Sequence, residues 1–359
     1  MQRNLNMLDW KRDVIMSAYK RAIPVISFPS VQQLGCTVNE MIHSSDLQAR
    51  GMKLIADETP SLASLSMMNL TVEAECFGSE VKYADDQIPA TMGGIVKTME
   101  DAENLKMPKV GDGLTQVYID AAKKAAELIT DRPVFADTIG PLTLAGRLIG
   151  ITELMKMMKK KPDVVKVVLE KATQFLIEYT KAFKEQTGCH GLVMAEPTTG
   201  LLSNKQNLEF SEPYSKRVIE ACQDNYFICI FHNCGPTVVE QAESLTRLGA
   251  QGYHFGNAIQ MTSMLPLLPK DRLVMGNINP AADICLEEPE TVKQNVKALM
   301  ETCSIYPNFV LSTGCDVAPI AKWDNIHAFY EALDEFYTSR GVVYEREAAS
   351  RKVFGGEAE

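Results

Sequence analysis

The sequence predicts an α/β protein of one domain, a (β/α)₈ TIM barrel with an N-terminal helical extension. From Pro24 onward, short runs rich in β-branched residues alternate with longer amphipathic stretches, a pattern typical of a parallel sheet covered by helices. Most of these runs end in small, polar or turn-forming residues, as barrel strands do at the C-terminal face that carries catalytic loops. A barrel with extensions also accommodates all 359 residues as a single domain.

Eight strands and five long helical spacers follow from this alternation. The expected strands are PVISFPS from Pro24, ASLSMM from Ala63, PVFADTIGP from Pro133, GLVMAEPT from Gly191, YFICIFHNC from Tyr226, GYHFG from Gly252, RLVMGNIN from Arg272 and FVLSTGCDV from Phe309. The expected helices cover 115–130, 163–186, 213–223, 237–248 and 289–303. Several of these helices open with proline or a capping residue, which supports their placement.

Three stretches of the single domain, 1–359, fall outside the repeating pattern. Residues 1–23 are expected to form the helical extension, and residues 345–359 are expected to form a polar tail. Residues 71–112 include VEAECFGSEVKYAD and are interpreted as an insertion, with room for an excursion of strands before the third barrel strand. No Pro- or Ser-rich linker and no repeat of 20 to 50 residues divides the chain.

Composition excludes several classes of partner. The formal net charge of -10 opposes binding to nucleic acid or to an anionic membrane surface. The chain has no apolar run long enough to span a bilayer, and its N-terminal segment lacks the continuous apolar core of a signal peptide. Nine cysteines without a disulfide-like framework fit a reducing compartment. We therefore expect a cytoplasmic protein whose partners are small molecules or proteins, with oligomerisation left open.

Nucleotide-binding and serine-hydrolase motifs are absent from the sequence. There is no G-x-x-x-x-G-K-[ST] and no G-x-S-x-G. The segment from Gly111 to Gln116 begins as a dinucleotide-binding fingerprint but lacks its third glycine.

Residues of the kinds that bind metals stand at the C-terminal ends of two predicted strands. The period of two in a strand makes His232 and Cys234 point to the same side, and Cys315 ends the eighth strand at the same face of a barrel. One imidazole and two thiolates suit zinc, and three protein ligands leave one coordination position open for chemistry. The alternative, that a cysteine is a small buried apolar residue, is favoured for the remaining seven, namely Cys36, Cys76, Cys189, Cys222, Cys229, Cys285 and Cys303.

Other polar residues near the predicted strand ends are further candidates. Glu196 ends the fourth strand, where it could be a fourth metal ligand or a catalytic base, with an exposed carboxylate at the rim as the alternative. His254 could contact substrate or be a structural histidine, and His190 precedes the fourth strand at the opposite face and is interpreted as structural. The residues expected to bind substrate are Asp137, His254, Asn277, Asn279 and Asp316.

Three motifs resemble the uroporphyrinogen decarboxylase superfamily, in its methylcobamide:coenzyme M methyltransferase branch. They are DTIGPLTLAGR from Asp137 to Arg147, GNINP from Gly276 to Pro280, and HNC at 232–234 with the distant Cys315. The resemblance runs from about residue 24 to about residue 341, and it implies the barrel fold. GNINP is similar to the Gly-Asn-Leu-Asp-Pro of the decarboxylases, so it identifies the superfamily and leaves the activity open.

Two departures separate this chain from the decarboxylases. Those enzymes carry an Arg-Gln-Ala-Gly-Arg type segment near the N-terminus that grips the porphyrinogen carboxylates, whereas SFPSVQQLG from Ser27 to Gly35 has no arginine. Their Thr-Leu-Ala-Ser-Tyr motif supplies a tyrosine at the position that Arg147 takes here. We therefore expect no decarboxylation of uroporphyrinogen.

The methyltransferase branch is marked by a His-x-Cys pair and a distant cysteine that bind zinc, which His232, Cys234 and Cys315 reproduce. The resemblance thus implies a zinc enzyme that moves a methyl group between methylcobalamin, or a similar corrinoid on a separate corrinoid protein, and a thiol or other small acceptor. Glu196-Pro197 stands where the branch commonly shows Asp-Pro, and it resembles relatives that demethylate methyl ethers or methylamines, so transfer to a Co(I) corrinoid stays open. A zinc scaffold without catalysis is the third alternative, and it would need four protein ligands.

Overall fold

The computed structural model describes residues 5–342, and the expected polar tail at 345–359 lies outside them. Nine strands are present in this range. They are β1 (Ser64–Leu65), β2 (Val81–Lys82), β3 (Ala90–Thr91), β4 (Val134–Ile139), β5 (Gly191–Ala195), β6 (Ile228–Asn233), β7 (Gly252–Phe255), β8 (Leu273–Ile278) and β9 (Phe309–Thr313).

Helices separate the strands along the same range. The α-helices are α1 (Met7–Met16), α2 (Ser30–Leu34), α3 (Val38–Ile42), α4 (Ser45–Glu58), α5 (Val72–Cys76), α6 (Met99–Asn104), α7 (Thr115–Leu128), α8 (Pro141–Ile149), α9 (Ile151–Lys160), α10 (Pro162–Gln186), α11 (Asn204–Phe210), α12 (Glu212–Cys222), α13 (Ala242–Leu248), α14 (Met261–Met264), α15 (Pro289–Cys303) and α16 (Trp323–Thr338). Short 3₁₀ turns cover Pro197–Leu201, Val238–Gln241 and Leu265–Leu267, and a π-helix covers Pro280–Leu286. Each of the five predicted spacers contains a helix, although the one predicted for 237–248 divides into a 3₁₀ turn and α13.

Seven strands form one parallel sheet in the order β1-β4-β5-β6-β7-β8-β9, which confirms the α/β barrel class. The sheet closes through an extended segment near Ala22. Ile23 N donates to Leu311 O of β9 at 2.9 Å, and Leu62 N donates to Ala22 O at 2.8 Å. This segment therefore lies between the last strand and the chain that leads into β1.

The strand predicted from Pro24 does not form, so this prediction is wrong. Only Ala22 forms a bridge, to Leu311, and the chain enters α2 at Ser30. Pro24 and Pro29 have no N–H to donate to a strand ladder, and this explains why the segment is extended without being a regular strand. The barrel thus closes with fewer backbone hydrogen bonds on this side.

The barrel interior is filled by apolar side chains from alternate strand positions. Trp10 and Met7 of α1 belong to this interior cluster, and the Trp10 ring lies 6.2 Å from the Phe135 ring. The helical extension therefore contributes directly to the barrel core. The other interior residues are Ile23, Val25, Leu62, Ala63, Leu65, Met68, Phe135, Val193, Ala195, Ile228, Ile230, Leu273, Met275 and Val310.

The segment 71–112 contains a small antiparallel hairpin, β2 with β3, between helices α5 and α6. VEAEC is helical, which corrects the expectation that the whole VEAECFGSEVKYAD stretch could form strands. Glu73 ties α5 to the barrel, because its Oε1 accepts hydrogen bonds from Thr138 Oγ1 at 2.7 Å and from Ile139 N at 3.1 Å. No helix in the described range is long and apolar enough to cross a membrane.

Candidate metal centre

The barrel interior changes from apolar to polar toward the C-terminal ends of its strands. Residues two positions apart in a strand point to the same side of the sheet. Ile230 and Phe135 point into the barrel, so His232 and Asp137, two positions further on, also lie on its interior face. The same argument extends to neighbouring strands, because Ala195 pairs with His232, and His232 pairs with His254. The interior positions of this polar layer are Ser27, Asp137, His232, His254, Asn277 and Ser312.

His232, Cys234 and Cys315 converge at this end of the barrel. Their ligand atoms all lie within 4.8 Å of one another, and they form the only such group of three His, Cys, Asp or Glu residues in the part of the chain that the structure describes. Cys315 Sγ lies 3.6 Å from His232 Nε2. The three residues that the sequence analysis grouped as possible metal ligands therefore lie together in the fold.

The spacing of the three side chains fits zinc. Bonds of about 2.3 Å from zinc to sulfur and about 2.0 Å from zinc to nitrogen, at a tetrahedral angle, place the two ligand atoms about 3.5 Å apart. Cys315 Sγ and His232 Nε2 are 3.6 Å apart, which is close to this separation. Two soft thiols and one imidazole are also the donor set that zinc prefers. The residues fit a zinc ion with one coordination position free.

The two thiols do not share the same acidity. Hydrogen bonds from Cys315 and from His232 lower the pKa of Cys234 to about 4. The hydrogen bond to Cys234, together with burial, raises the pKa of Cys315. Lowering the pKa of a thiol in this pair favours the thiolate form, which is the form that binds a metal.

The loop after β6 is held tightly, and this fixes Cys234. Asn233 Oδ1 accepts a hydrogen bond from Gly235 N at 2.9 Å, and Thr237 Oγ1 donates to Gly200 O at 2.9 Å. Gly256, at the end of β7, lies against the cysteine: a Cβ at this position would come within 2.5 Å of Cys234 Cβ. Any larger residue at 256 would displace the cysteine.

His254 is a buried neighbour of the cluster. Its Nε2 lies 2.7 Å from Thr313 O and 3.0 Å from Ser312 Oγ, and burial followed by the nearby His232 lowers its pKa to about 3. The ring is therefore neutral at physiological pH and is bound to the end of β9. These contacts are those of a structural histidine, and the expected contact of His254 with substrate stays a prediction.

Glu196 is buried, and its carboxylate is bonded away from the cluster. The two carboxylate oxygens accept hydrogen bonds from Leu142 N at 2.7 Å and from Thr143 N at 3.0 Å, which are free N–H groups at the start of α8. Gly140 leaves room for this contact, because a Cβ there would come within 2.4 Å of Glu196 Cδ. Burial raises the pKa of Glu196 to about 7. This corrects the alternative of an exposed carboxylate, and the metal-type group contains no Glu196.

The two asparagines of GNINP are engaged in loop hydrogen bonds. Asn277 Nδ2 donates to Gly256 O at 3.0 Å and to Ile259 O at 2.8 Å, which fastens the loop after β7. Asn279 Oδ1 accepts from the N–H groups of residues 281 and 282 and caps the π-helix. Both asparagines therefore stabilise loops at this end of the barrel. Their expected contact with substrate stays a prediction.

Asp137 and Asp316 lie at the same end of the barrel with carboxyl oxygens left free. Asp137 Oδ1 and both oxygens of Asp316 have no hydrogen-bond partner among residues 5–342. Burial, followed by the neighbouring Glu73 and Asp316, raises the pKa of Asp137 well above its usual range. Glu73 is a residue that the sequence analysis did not single out, although it and Glu75 are two glutamates within the largely apolar LTVEAECF stretch, which was the available signal.

The remaining seven cysteines stay apart from the cluster. None belongs to a metal-type group of three within the described chain, and Cys189, Cys222, Cys229, Cys285 and Cys303 are buried. Cys36 and Cys76 are partly exposed.

Comparison with known proteins supports the same family as the motifs. The profile of the family described as Uroporphyrinogen decarboxylase (URO-D) matches residues 28–336. A methylcobamide:CoM methyltransferase, MtbA, from Methanosarcina acetivorans is 24% identical over 272 residues, covering 75% of this chain and 78% of the relative. A uroporphyrinogen decarboxylase from Citrifermentans bemidjiense is 23% identical over 292 residues, covering 79% of this chain and 83% of that protein.

A solved structure of a methyltransferase from Methanosarcina mazei has the same fold as this chain. The two superpose with a TM-score of 0.81 at 20% identity, over 92% of this chain and 99% of the other.

Proposed function

The chain belongs to the uroporphyrinogen decarboxylase family, and from this premise we propose that it is a zinc-dependent methyltransferase. It moves a methyl group between a corrinoid of the methylcobalamin type, carried by a separate corrinoid protein, and a thiol or other small acceptor. The observation that carries the proposal is the convergence of His232, Cys234 and Cys315 within 4.8 Å at the mouth of the barrel. The similarity to a methylcobamide:CoM methyltransferase supports it.

His232, Cys234 and Cys315 would hold the zinc ion, and two cysteinates balance its charge. Zinc in such a site supplies a thiolate nucleophile at neutral pH, where a free thiol with a pKa near 8.5 is mostly protonated. An acceptor thiol would lose its proton to water on binding at this site, and its sulfur would then take the methyl group from the corrinoid co-substrate, whose carbon–cobalt bond would break with both electrons left on cobalt. No general acid or base is needed for this displacement.

The rest of the barrel serves to position the reacting groups. His254 fixes the end of β9 and packs against His232, so two of the three ligands share a rigid support. The apolar interior below the polar layer excludes water from the far side of the site. Holding sulfur, methyl group and cobalt in line is the main contribution that the protein can make to such a transfer.

A spectroscopic assay tests the proposal. The zinc-loaded protein is mixed with methylcobalamin and a panel of thiols, and the absorbance is followed for conversion of methyl-Co(III) to Co(I). We expect conversion with at least one thiol and none with the Cys315→Ala variant. The reverse direction is tested with Co(I) and phenyl methyl ethers or methylamines as donors. Absence of turnover in both directions with zinc-loaded wild type would refute the proposal.

A further inference from the structure

A cleft of about 660 Å³ lies between the segment that follows β3 and the helices α8 and α9. Its lining residues fall within 93–97 on one side and within 149–161 on the other. None of the candidate metal ligands belongs to this lining. Cavities of about 300 to 1,000 Å³ are typical of small-molecule sites. The cleft is therefore a second place, apart from the metal centre, that is large enough for a small molecule.

Backbone contacts join the two sides of the cleft. The N–H groups of Ile95 and Val96 both donate to Leu148 O, at 2.8 and 3.0 Å. Gly94 lies directly against the end of α8, where a Cβ would come within 2.1 Å of Ile149 O. Only glycine fits there. The two sides are therefore held in place before a ligand binds, which lowers the cost of ordering the site.

Lysines dominate the charged part of the lining. It contains one acidic residue, Glu153, and four lysines, Lys97, Lys156, Lys160 and Lys161. Lys156 bonds to Glu153 at 2.7 Å, whereas the other three lysines form no ion pair within residues 5–342. The lining thus has a formal charge of +3 in a chain whose net charge is -10. Cationic side chains gathered in a concave surface attract anions.

Apolar side chains form much of the remaining surface of the cleft. Val96, Ile149 and Met157 are buried members of the lining, and Ile151 is partly exposed. An apolar group that packs against them is removed from water, which favours binding, whereas a small hydrated ion gains nothing from such a surface. The lining therefore suits a ligand that carries an anionic group on an apolar body.

Phosphate is the anion that engages several of these lysines at once. Lys156 and Lys160 are four residues apart on α9, so they are neighbours on one helix face, and Lys97 comes from the other side of the cleft. A phosphate monoester has a charge of about -1.5 to -2 at pH 7 and three strong acceptor oxygens. A carboxylate has a single charge and two oxygens, so it leaves more of the ammonium groups without a partner.

We propose that this cleft binds a small molecule with a phosphate monoester on an apolar body. Lys97, Lys156 and Lys160 bind the phosphate, and the body packs against Val96 and Met157. The site goes beyond the proposed methyl transfer, because its residues belong to the segment 71–112 and to the region of α8 and α9 and include no candidate metal ligand. Binding is therefore expected with or without zinc.

Three probes test the site: 1-naphthyl phosphate, 1-naphthol and inorganic phosphate. The first carries both the apolar body and the phosphate, and each of the others carries one of them. Binding to the purified protein is measured by isothermal titration calorimetry at low ionic strength, because salt screens exposed charges. We expect 1-naphthyl phosphate to bind at least about tenfold more tightly than either other probe, which is the scale of one hydrogen bond to a charged group. Equal affinity for 1-naphthyl phosphate and for either of the others would overturn the proposal.

Lysine variants locate the binding. Lys97→Gln and Lys160→Gln each remove one ammonium group from an exposed position, and each should weaken binding of 1-naphthyl phosphate about three- to tenfold. Lys159→Gln is the matched control, because it removes the same charge from the same helix although Lys159 does not line the cleft. Its affinity should equal that of wild type. An unchanged affinity in both cleft variants, or the same loss in Lys159→Gln as in Lys160→Gln, overturns the site.

Cys315→Ala separates this site from the proposed function. The variant should bind 1-naphthyl phosphate as wild type does, because Cys315 is not part of the cleft. If methyl transfer fails while the probe binds and depends on Lys97 and Lys160, the phosphate site stands and the methyl transfer is wrong. If methyl transfer is found and the probe does not bind, the phosphate site is wrong and the methyl transfer stands. Loss of probe binding in Cys315→Ala would place the phosphate at the metal centre and would also overturn the cleft.

Discussion

The imidazole rings of His232 and His254 pack against each other with their centroids 4.6 Å apart, on neighbouring strands that are in register. His254 is in turn bonded through Nε2 to Thr313 O, two residues before Cys315. One buried ring therefore links two of the three candidate metal ligands. Outer residues of this kind orient the ligands and raise the affinity for the metal.

Replacing His254 should weaken metal binding without changing the charge of the site. We expect His254→Asn to lower zinc affinity by about ten- to a hundredfold, because the support of both His232 and the end of β9 is lost. Competition with a chromophoric chelator measures the affinity. His43→Asn is the control, since His43 lies exposed at the end of α3. Equal affinities in His254→Asn and wild type would contradict the positioning role.

Zinc content should depend on the two cysteines of the cluster. We expect about one zinc per chain in wild type and much less in Cys234→Ala and Cys315→Ala, because each variant removes one of three ligands. Elemental analysis of the purified proteins measures this. Cys229→Ala is a matched control, since Cys229 is a buried cysteine of the same strand that points to the opposite face. Full zinc in both cluster variants would refute the assignment.

Glu196 should make stability depend on pH. Its pKa rises from 4.5 in the unfolded chain to about 7 in the folded one, so the folded state binds more protons between these values and stability falls as pH rises through this window. The full loss is about 3 kcal/mol. We expect Glu196→Gln to lack this loss when urea unfolding is compared at pH 5 and pH 8.

Glu185→Gln serves as the control for this comparison, because Glu185 is exposed near the end of α10. Its stability should follow the same pH profile as wild type. Parallel profiles for Glu196→Gln and wild type would show that the Glu196 carboxyl has an ordinary pKa in the folded protein.

The protein should not decarboxylate uroporphyrinogen, even though it belongs to the decarboxylase family. The segment from Ser27 to Gly35 has no arginine for the substrate carboxylates, and Arg147 stands in place of the tyrosine. Chromatography of the tetrapyrrole after incubation with the protein measures the reaction, and coproporphyrinogen formed at an enzymatic rate would contradict this expectation.

The metal-type cluster could be predicted because the sequence pattern of a strand shows which of its side chains share a face. Alternation places His232 and Cys234 on one face, and parallel strands deliver their carboxyl ends, including the one before Cys315, to the same end of a barrel. Neither step needs information about distant contacts. The same reasoning located the polar ends of β4 and β8.

The partners of Glu196 and the importance of Glu73 could not be predicted in this way. Glu196 bonds to N–H groups of α8, which lie 54 and 53 positions away in sequence, and nothing near Glu196 indicates them. Glu73 acquires its position because α5 packs against the end of β4, which is a tertiary contact made by an insertion. The strand expected from Pro24 was lost because its prolines cannot donate to a ladder.

The way the barrel closes has a consequence for the order of events during synthesis. The extended segment near Ile23 is synthesised early. Its neighbour on one side, β9 with Leu311, is among the last elements of the described chain to be synthesised. The barrel therefore cannot close before β9 has been synthesised. Cys315 is synthesised about 80 residues after His232 and Cys234, which takes on the order of 4 to 16 s of translation. A zinc ion with all three ligands in place therefore marks a chain whose barrel is complete.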